Sequence, residues 1–310
     1  MSGARHPWPT DLVALMTHDG RIFPNEAKTW DRIGEGDSGP HPLGTALEQW
    51  LSFATGKHTW VSVRGATIRG LISARRRAKG SAWEVDCLIN ADEDRSVAAE
   101  LLDRMTTGAG KQGAERIFLR LASDSCLFEV ARAAGFFVYK REALFRADEL
   151  LAAADPGLPL RKASRADAFG IYQLYSAATP SNVRAIEGVN FRDWQAAREP
   201  WGGRASDWVL EEDGLITGWL RVMRGQPGRL DVLVHPDRSD AEAFLRAALA
   251  RLGGSRPLLC LAPCGGNRLS SLLRDAGFDP AEEFTTMAKR LAKQAGELAP
   301  ETIGTTATAT

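Results

Sequence analysis

The sequence has little that marks a specialised environment. Four cysteines, Cys87, Cys126, Cys260 and Cys264, are spread over 310 residues. They are too few and too scattered for a disulfide framework, so the small stapled scaffold of secreted proteins is excluded and reduced thiols are the simpler reading. No stretch reaches the ~20 apolar residues of a membrane span. The opening MSGARHPWPTDL has no apolar core suited to a signal peptide, and a soluble, cytoplasmic protein is expected. Charge of one sign is lacking too: Lys plus Arg number 39, and so do Asp plus Glu. No global field therefore draws the chain to nucleic acid or to an anionic membrane. The five histidines (His6, His18, His41, His58, His235) show no paired spacing, and Cys260 and Cys264 lack two further ligands, so no metal site is expected.

What is present is the balance of a globular protein, 44% hydrophobic and 25% charged, in a chain long enough for two ordinary domains. The pattern divides into an N-terminal extension (1–44), a first patterned region (45–147), a linker (148–157) punctuated by Pro156 and Gly157, a second patterned region (158–292), and a small-polar tail (293–310) read as disordered. In the first region LGTALEQWLSF has helical spacing. HTWVSVRG, ATIRGLISARRR and SAWEVDCLIN then read as a meander of strands separated by turn residues. RSVAAELLDRMTTGAG predicts a helix, RIFLRLA a strand, SCLFEVARAAG a helix and FFVYKREALFR a closing strand.

The second region repeats that order. LPLRKAS and DAFGIYQLYSAA precede three β-rich runs, SDWVLEEDG, LITGWLRVMRG and GRLDVLVHPD. A helix, a strand (PLLCLAP), a helix and a last strand (EEFTTMAKRLA) follow. The repeat is literal where ARAAGFFVYKREALFR in the first region meets LRDAGFDPAEEFTTMAKR in the second. Gly135 and Gly277 are placed to end a helix in a left-handed cap, and Phe136 and Phe278 to enter the core just beyond it.

Meander, helix, strand, helix ending in Gly-Phe, closing strand: this order, with LDVLVHPD in the second half and DCLINAD in the first, resembles the GNAT N-acetyltransferases. The resemblance implies an α/β (α+β) protein with two such domains in tandem, each a mixed, mostly antiparallel sheet flanked by helices. It implies transfer of an acyl group, with acetyl-CoA as co-substrate and no metal, to a small-molecule or peptide amine. It also implies that two central strands splay apart to admit pantetheine, and that the next helix presents its N-terminus to the pyrophosphate.

This chain departs from the family's R/Q-x-x-G-x-G/A loop in both halves. ADEDRSVAAELL keeps Arg95 and Ala98 in register but has Glu100 where a small residue belongs; HPDRSDAEAFLRAAL has no glycine. The first half is the better cofactor candidate of the two, at Leu88, Asn90, Arg95, Ser96 and Ala98. Glu84 and Asp86 alternate on one face of SAWEVDCLIN and are the candidate catalytic bases; Asp231 is their counterpart in the second half. A strand acid paired with an arginine of RGLISARRR is the structural alternative. The tyrosine expected as acid is replaced by Ala131 and Leu273. Missing glycines and tyrosine leave a second reading open, a non-catalytic tandem protein that binds a small ligand or a protein partner.

Three other features stand out. Arg75, Arg76, Arg77 and Lys79 read as a solvated basic hairpin tip. Cys126 reads as a small buried thiol. SAATPSNVRAIEGVNFRDWQAAREPW, with Glu187, Trp194 and Trp201, reads as a cover for a ligand site or as a dock between the halves.

Overall fold

The computed structural model describes residues 4–6, 24–34, 58–64, 67–78, 80–90, 94–149, 155–201, 205–265 and 268–292. The helical reading of LGTALEQWLSF and the disorder of 293–310 lie outside the described residues. In chain order the elements are β1 (His58–Arg64), β2 (Thr67–Arg76), β3 (Ala82–Asn90), α1 (Arg95–Lys111), β4 (Arg116–Ala122), α2 (Phe128–Ala133) and β5 (Phe137–Ala147). Then come β6 (Arg161–Lys162), α3 (Ala168–Ala178), α4 (Ser181–Glu187), α5 (Phe191–Ala197), β7 (Ala205–Glu212), β8 (Leu215–Met223) and β9 (Gly228–Val234). The second half closes with α6 (Ala241–Leu252), β10 (Leu258–Pro263), α7 (Arg268–Asp275) and β11 (Asp279–Arg290).

The described strands form one eleven-stranded mixed sheet in the order β1-β2-β3-β4-β11-β5-β10-β9-β8-β7-β6. The halves exchange their closing strands. β11, last of the second half, pairs with β4, while β5, last of the first half, pairs with β10. β5 and β11 meet antiparallel at the centre, with Lys140 opposite Thr286 and Glu142 opposite Phe284. Two parallel pairs, β3–β4 and β9–β10, lie symmetrically to either side.

The exchange is visible in the cores. Around α1, whose buried stripe is Val97, Ala98, Leu101, Leu102 and Met105, the apolar cluster also takes in Met287 from β11. Around Phe244, Leu245 and Leu249 of α6, the second cluster takes in Ala143 and Phe145 from β5. Burial at roughly 25 cal/mol per Å2 of apolar surface is thus shared across the halves.

The repeated Ala-Gly-Phe does what its sequence implies. Gly135 and Gly277 adopt φ of 88° and 87°, a left-handed conformation open to glycine and costly for other residues. The Phe136 and Phe278 amides donate to the carbonyls of Ala131 and Leu273, five residues back, and both rings are buried. This is the Schellman arrangement.

Because β4 finds its outer partner in β11, and β10 finds its own in β5, neither half is complete alone. Urea unfolding of the whole chain is expected to be one cooperative transition. A fragment ending at 149, or one beginning at 155, is expected to aggregate with β4 or β10 left as a bare edge. Phe278→Ala should cost ~3–5 kcal/mol of stability in the same titration.

Candidate active site

Each parallel pair begins in register and then parts. β3 and β4 pair only at Ala82–Arg116, Trp83–Ile117 and Glu84–Phe118. β9 and β10 pair only at Gly228–Leu258, Arg229–Leu259 and Leu230–Cys260. Beyond those points each pair opens a cleft, and the two clefts have different fates.

The first cleft is filled by the chain itself. The Glu26 amide donates to the Leu88 carbonyl on β3 (2.9 Å), and the Lys28 amide donates to the Arg120 carbonyl on β4 (2.8 Å). The Leu88 amide donates to the Asn25 side-chain oxygen (2.8 Å), and the Asn25 side-chain nitrogen donates to the Asp86 carbonyl. Residues 25–28 therefore bridge both strands through the backbone groups that their parting would leave unpaired. The strap continues to Trp30, which packs against Trp201 with ring centroids 5.5 Å apart. It is fixed to the second half by Arg229, which donates to the carbonyls of Asp31 and Ile33.

The second cleft is open. A cavity of about 630 Å3 begins between β9 and β10, walled by Leu245, Leu261, Leu269 and Leu272, and runs inward past Asp231 to Trp194 and Trp219. At its mouth α6 begins at Ala241. The acids of the preceding turn are dealt with: Asp240 is ion-paired with Arg238, and the Asp237 side chain is 92% exposed. Arg268 donates to the carbonyls of Pro236, Arg238 and Ser239 and so shapes the turn that glycines would otherwise form.

Deep in the cavity lies a network of buried charge. Glu199 receives Arg77 and Arg120, Glu142 receives Arg120 and Lys140, and Lys140 also meets Glu187 at 2.9 Å. Burial opposes the charge of Glu142, but Lys140 and Arg120 outweigh it and hold the carboxyl down at about 2. Burial likewise opposes the charge of Glu199, and Arg120 and Arg77 hold that carboxyl well below its usual range. Glu187 also accepts hydrogen bonds from Tyr139 (3.1 Å) and Tyr175 (2.9 Å). Burial and the Glu187 charge push the Tyr175 hydroxyl far above its usual range, so it keeps its proton.

Asp231 is different. It stands opposite Arg221 in the β8–β9 register, and Arg221 stands opposite Asp207 of β7. Arg221 gives its hydrogen bonds to Asp207, at 2.5 and 2.7 Å, and Asp231 has no hydrogen bond or ion pair among the described residues. Burial raises its carboxyl to about 6 against the pull of Arg221, Lys140 and Arg198.

The candidates from the first half land elsewhere. Glu84 is buried and bonded to Arg75 (2.6 Å) and Arg77 (3.1 Å), and Asp86 is buried and accepts from Ser73 (2.6 Å). They share a strand face but lie behind the strap. Leu88 has its backbone taken by Asn25 and Glu26, Asn90 ends β3, and Ala98 is wholly buried in the core. Arg95 and Ser96 are exposed, and the Ser96 amide and hydroxyl both donate to the helix cap Asp94. The basic hairpin is no solvated tip: Arg75 and Arg77 are internal ion-pair partners and only Arg76 is exposed, while Lys79 lies outside the described residues. Cys126 is exposed and precedes α2 instead of being buried within it.

Residues 176–201 dock the halves together and wall the cavity. Arg116 of β4 donates to the carbonyls of Ile186, Glu187 and Asp193, which docks the segment on the first half, while Trp194 and Trp201 wall the cavity. Lys140, Glu142, Glu199, Arg120 and Tyr175 were missed. A signal existed for some of them: Arg120 is a lone charge inside IFLRLA, and Lys140 and Glu142 fall two apart on one face of an apolar strand. Among the described residues no three His, Cys, Asp or Glu are grouped to hold a metal, and no helix is long and apolar enough to cross a membrane.

No protein-family model and no curated relative matches the sequence. Solved structures do match. A GCN5-related N-acetyltransferase from Sphaerobacter thermophilus superposes with a TM-score of 0.57 at 16% identity, over 93% of this chain and 95% of its own. A tandem GNAT protein from the clavulanic acid biosynthesis pathway gives 0.52 at 15% identity, over 91% and 93%. An acetyltransferase described as putative from Pyrococcus horikoshii gives 0.53 at 13%, over 94% and 90%. The fold is that of the tandem GNAT proteins, over nearly the whole chain.

The ion-pair network predicts its own fragility. Glu199→Ala leaves Arg77 with Glu84 alone and Arg120 with Glu142 alone in a buried site and should cost ~3–5 kcal/mol in urea titration. Arg95→Ala, at an exposed position, should stay within ~0.5 kcal/mol of the parent.

Proposed function

We propose that this protein transfers an acyl group from a CoA thioester to an amine, and that the second cleft carries the reaction. The observation that supports this best is the open cavity that begins between β9 and β10 and contains Asp231, a carboxylate with no hydrogen bond or ion pair among the described residues. The residues there fit an acyl-CoA. Leu245, Leu261, Leu269 and Leu272 offer apolar walls to pantetheine, β9 and β10 no longer pair with each other beyond Leu230 and Cys260, and α6 opens at the mouth. Asp240 is neutralised there by Arg238. The first cleft has its backbone groups bonded to residues 25–28, so we assign it no cofactor.

An acyl-CoA supplies the thioester carbon that the amine attacks. Asp231 takes a proton from the amine as the new C–N bond forms. With its carboxyl raised to about 6, it is ionised at neutral pH yet basic enough to be useful. Tyr175 lines the same cavity, but its hydroxyl is committed to Glu187, and burial with that charge makes it a poor acid; the proton that Asp231 has taken passes instead to the leaving thiolate, a stronger base than a carboxylate at about 6. Such proton transfers contribute typically ~10²–10⁴-fold.

Calorimetric titration with acetyl-CoA is expected to give one site per chain and a raised melting temperature. Two sites would refute the role given to the strap, and none would refute the proposal. In an amine screen kcat/KM, expressed on the concentration of unprotonated amine, should rise with pH through about 6 and level off above it, since only ionised Asp231 accepts a proton. Asp231→Asn should lower the rate ~10²–10⁴-fold and abolish that acidic limb, whereas Arg95→Ala should leave the rate unchanged. Saturable binding without turnover of any amine would return the non-catalytic reading.

A further inference from the structure

Arg198 is the unexplained group in this molecule. It follows α5, on the wall between the catalytic cavity and a second, more open pocket of about 740 Å3 that is also lined by Arg192, Gln195, Asp207 and Arg221. Every other arginine in the buried network has a carboxylate to bond. Arg198 has no bond of that kind: its one described carboxylate contact is long and shared. Its nearest anion is Asp207 at 3.6 Å, and both oxygens of Asp207 are already engaged by Arg221. The guanidinium is held instead against two indoles, with centroid distances of 5.0 Å to Trp194 and 5.7 Å to Trp219. Those contacts fix its plane while leaving its N–H donors unspent. The indole N–H groups of Trp219 and Trp30, both residues of the cavity wall, are also buried without an acceptor among the described residues. The unmet hydrogen-bonding capacity around this junction is largely donor capacity.

Charge leads to the same conclusion. At rest, Arg198 and Arg221 face Asp207 and Asp231, two against two. Once Asp231 has taken the proton of the amine, two guanidiniums face the single carboxylate of Asp207 in an enclosed site, and an uncompensated charge there is costly. The imbalance disappears if the acceptor itself brings an anion. Burial and the neighbouring Arg221 charge already hold the Arg198 guanidinium down at about 10, as expected of a cation with too little counter-charge.

We propose that the acceptor amine carries a carboxylate, that it enters through the pocket lined by Arg192 and Gln195, and that Arg198 binds its carboxylate while its amine faces Asp231. This rests on the acyltransferase reading and names the class of substrate, amino acids with a free carboxyl group. A guanidinium with free donors suits a carboxylate in bidentate geometry, and a site built for such a bond rejects the analogue that lacks it.

The test uses the full chain, acetyl-CoA, the common L-amino acids and their carboxamides, with release of free thiol as the readout. The free acids are expected to exceed their amides at least ~30-fold in kcat/KM, in line with a charge-assisted bond. Arg198→Met should lower kcat/KM for the acid ~100-fold and that for the amide far less, so that most of the preference for the acid is lost, with the same acetyl-CoA affinity. Arg198→Lys should recover part of the loss, and a retained melting temperature shows that both variants fold. Calorimetry with the N-acetyl acids and N-acetyl amides reads the same preference without turnover. Equal use of acid and amide, or preference for the amide, overturns this inference and spares the acyltransferase reading. So does acetyl-CoA binding with no acetylation of either series. Failure of acetyl-CoA to bind removes both.

Discussion

The antiparallel pairing of β5 with β11 is the constraint on which the other strands depend. Each is the closing strand of one half, and each leaves its own half to complete the other. With Lys140 opposite Thr286 and Glu142 opposite Phe284, the seam supplies the outer neighbour of both β4 and β10 and places a residue of each half in the other's core. It also sets the floor of the cavity. Glu142 of β5 accepts from Thr286 of β11 at 2.7 Å and from Arg120 of β4 at 3.1 Å, so three strands from two halves hold one carboxylate. Duplicated units that only touched would have to bury two sheet edges separately; exchange satisfies both with the same two strands.

From so symmetrical a frame comes an asymmetric protein. Both parallel pairs part after three residues, and parting leaves backbone donors and acceptors that need partners. In the first half the partner is residues 25–28, part of the same chain. In the second half the opening is kept, and we assign it to the acyl donor. The strap is more than a filler. It passes from the first cleft to Trp30 on the wall of the second cavity and is anchored to the second half by Arg229 and, through Asp31, to the first half by Arg75. The half whose cleft is filled thereby shapes the cavity of the other.

The buried charges around that cavity repay comparison with one another. Networks of this kind add little net stability over apolar packing, and their cost when broken is high. Arg77, Arg120 and Lys140 are fully matched by Glu84, Glu142, Glu187 and Glu199, and such groups specify geometry. Asp231 and Arg198 stand next to the network without full partners, and their acidities are displaced towards neutrality, one upwards by burial, the other downwards by burial and a like charge. Unmatched groups beside matched ones are where a ligand has something to gain.

The sequence by itself determined the elements and their repetition. Alternation in HTWVSVRG and SAWEVDCLIN, helical spacing in RSVAAELLDRM, and the paired Ala-Gly-Phe depend on contacts within a few residues, so they are legible without the fold. The ion pairing of Glu84 with the arginines of RGLISARRR was legible for the same reason, because a hairpin makes them neighbours. Which half receives the other's closing strand was not legible, since β5 and β11 have equivalent patterns and either β4 or β10 offers the same kind of edge. Nor was the asymmetry of the clefts: Asn25 and Glu26 meet Leu88 across more than sixty residues, and no local pattern encodes that meeting. The loop residues that favoured the first half said nothing of the strap lying across it. Asp231 could be named from its strand, but its raised acidity, its want of a partner and its neighbour Arg198 are properties of enclosure, and enclosure is made only when distant segments pack.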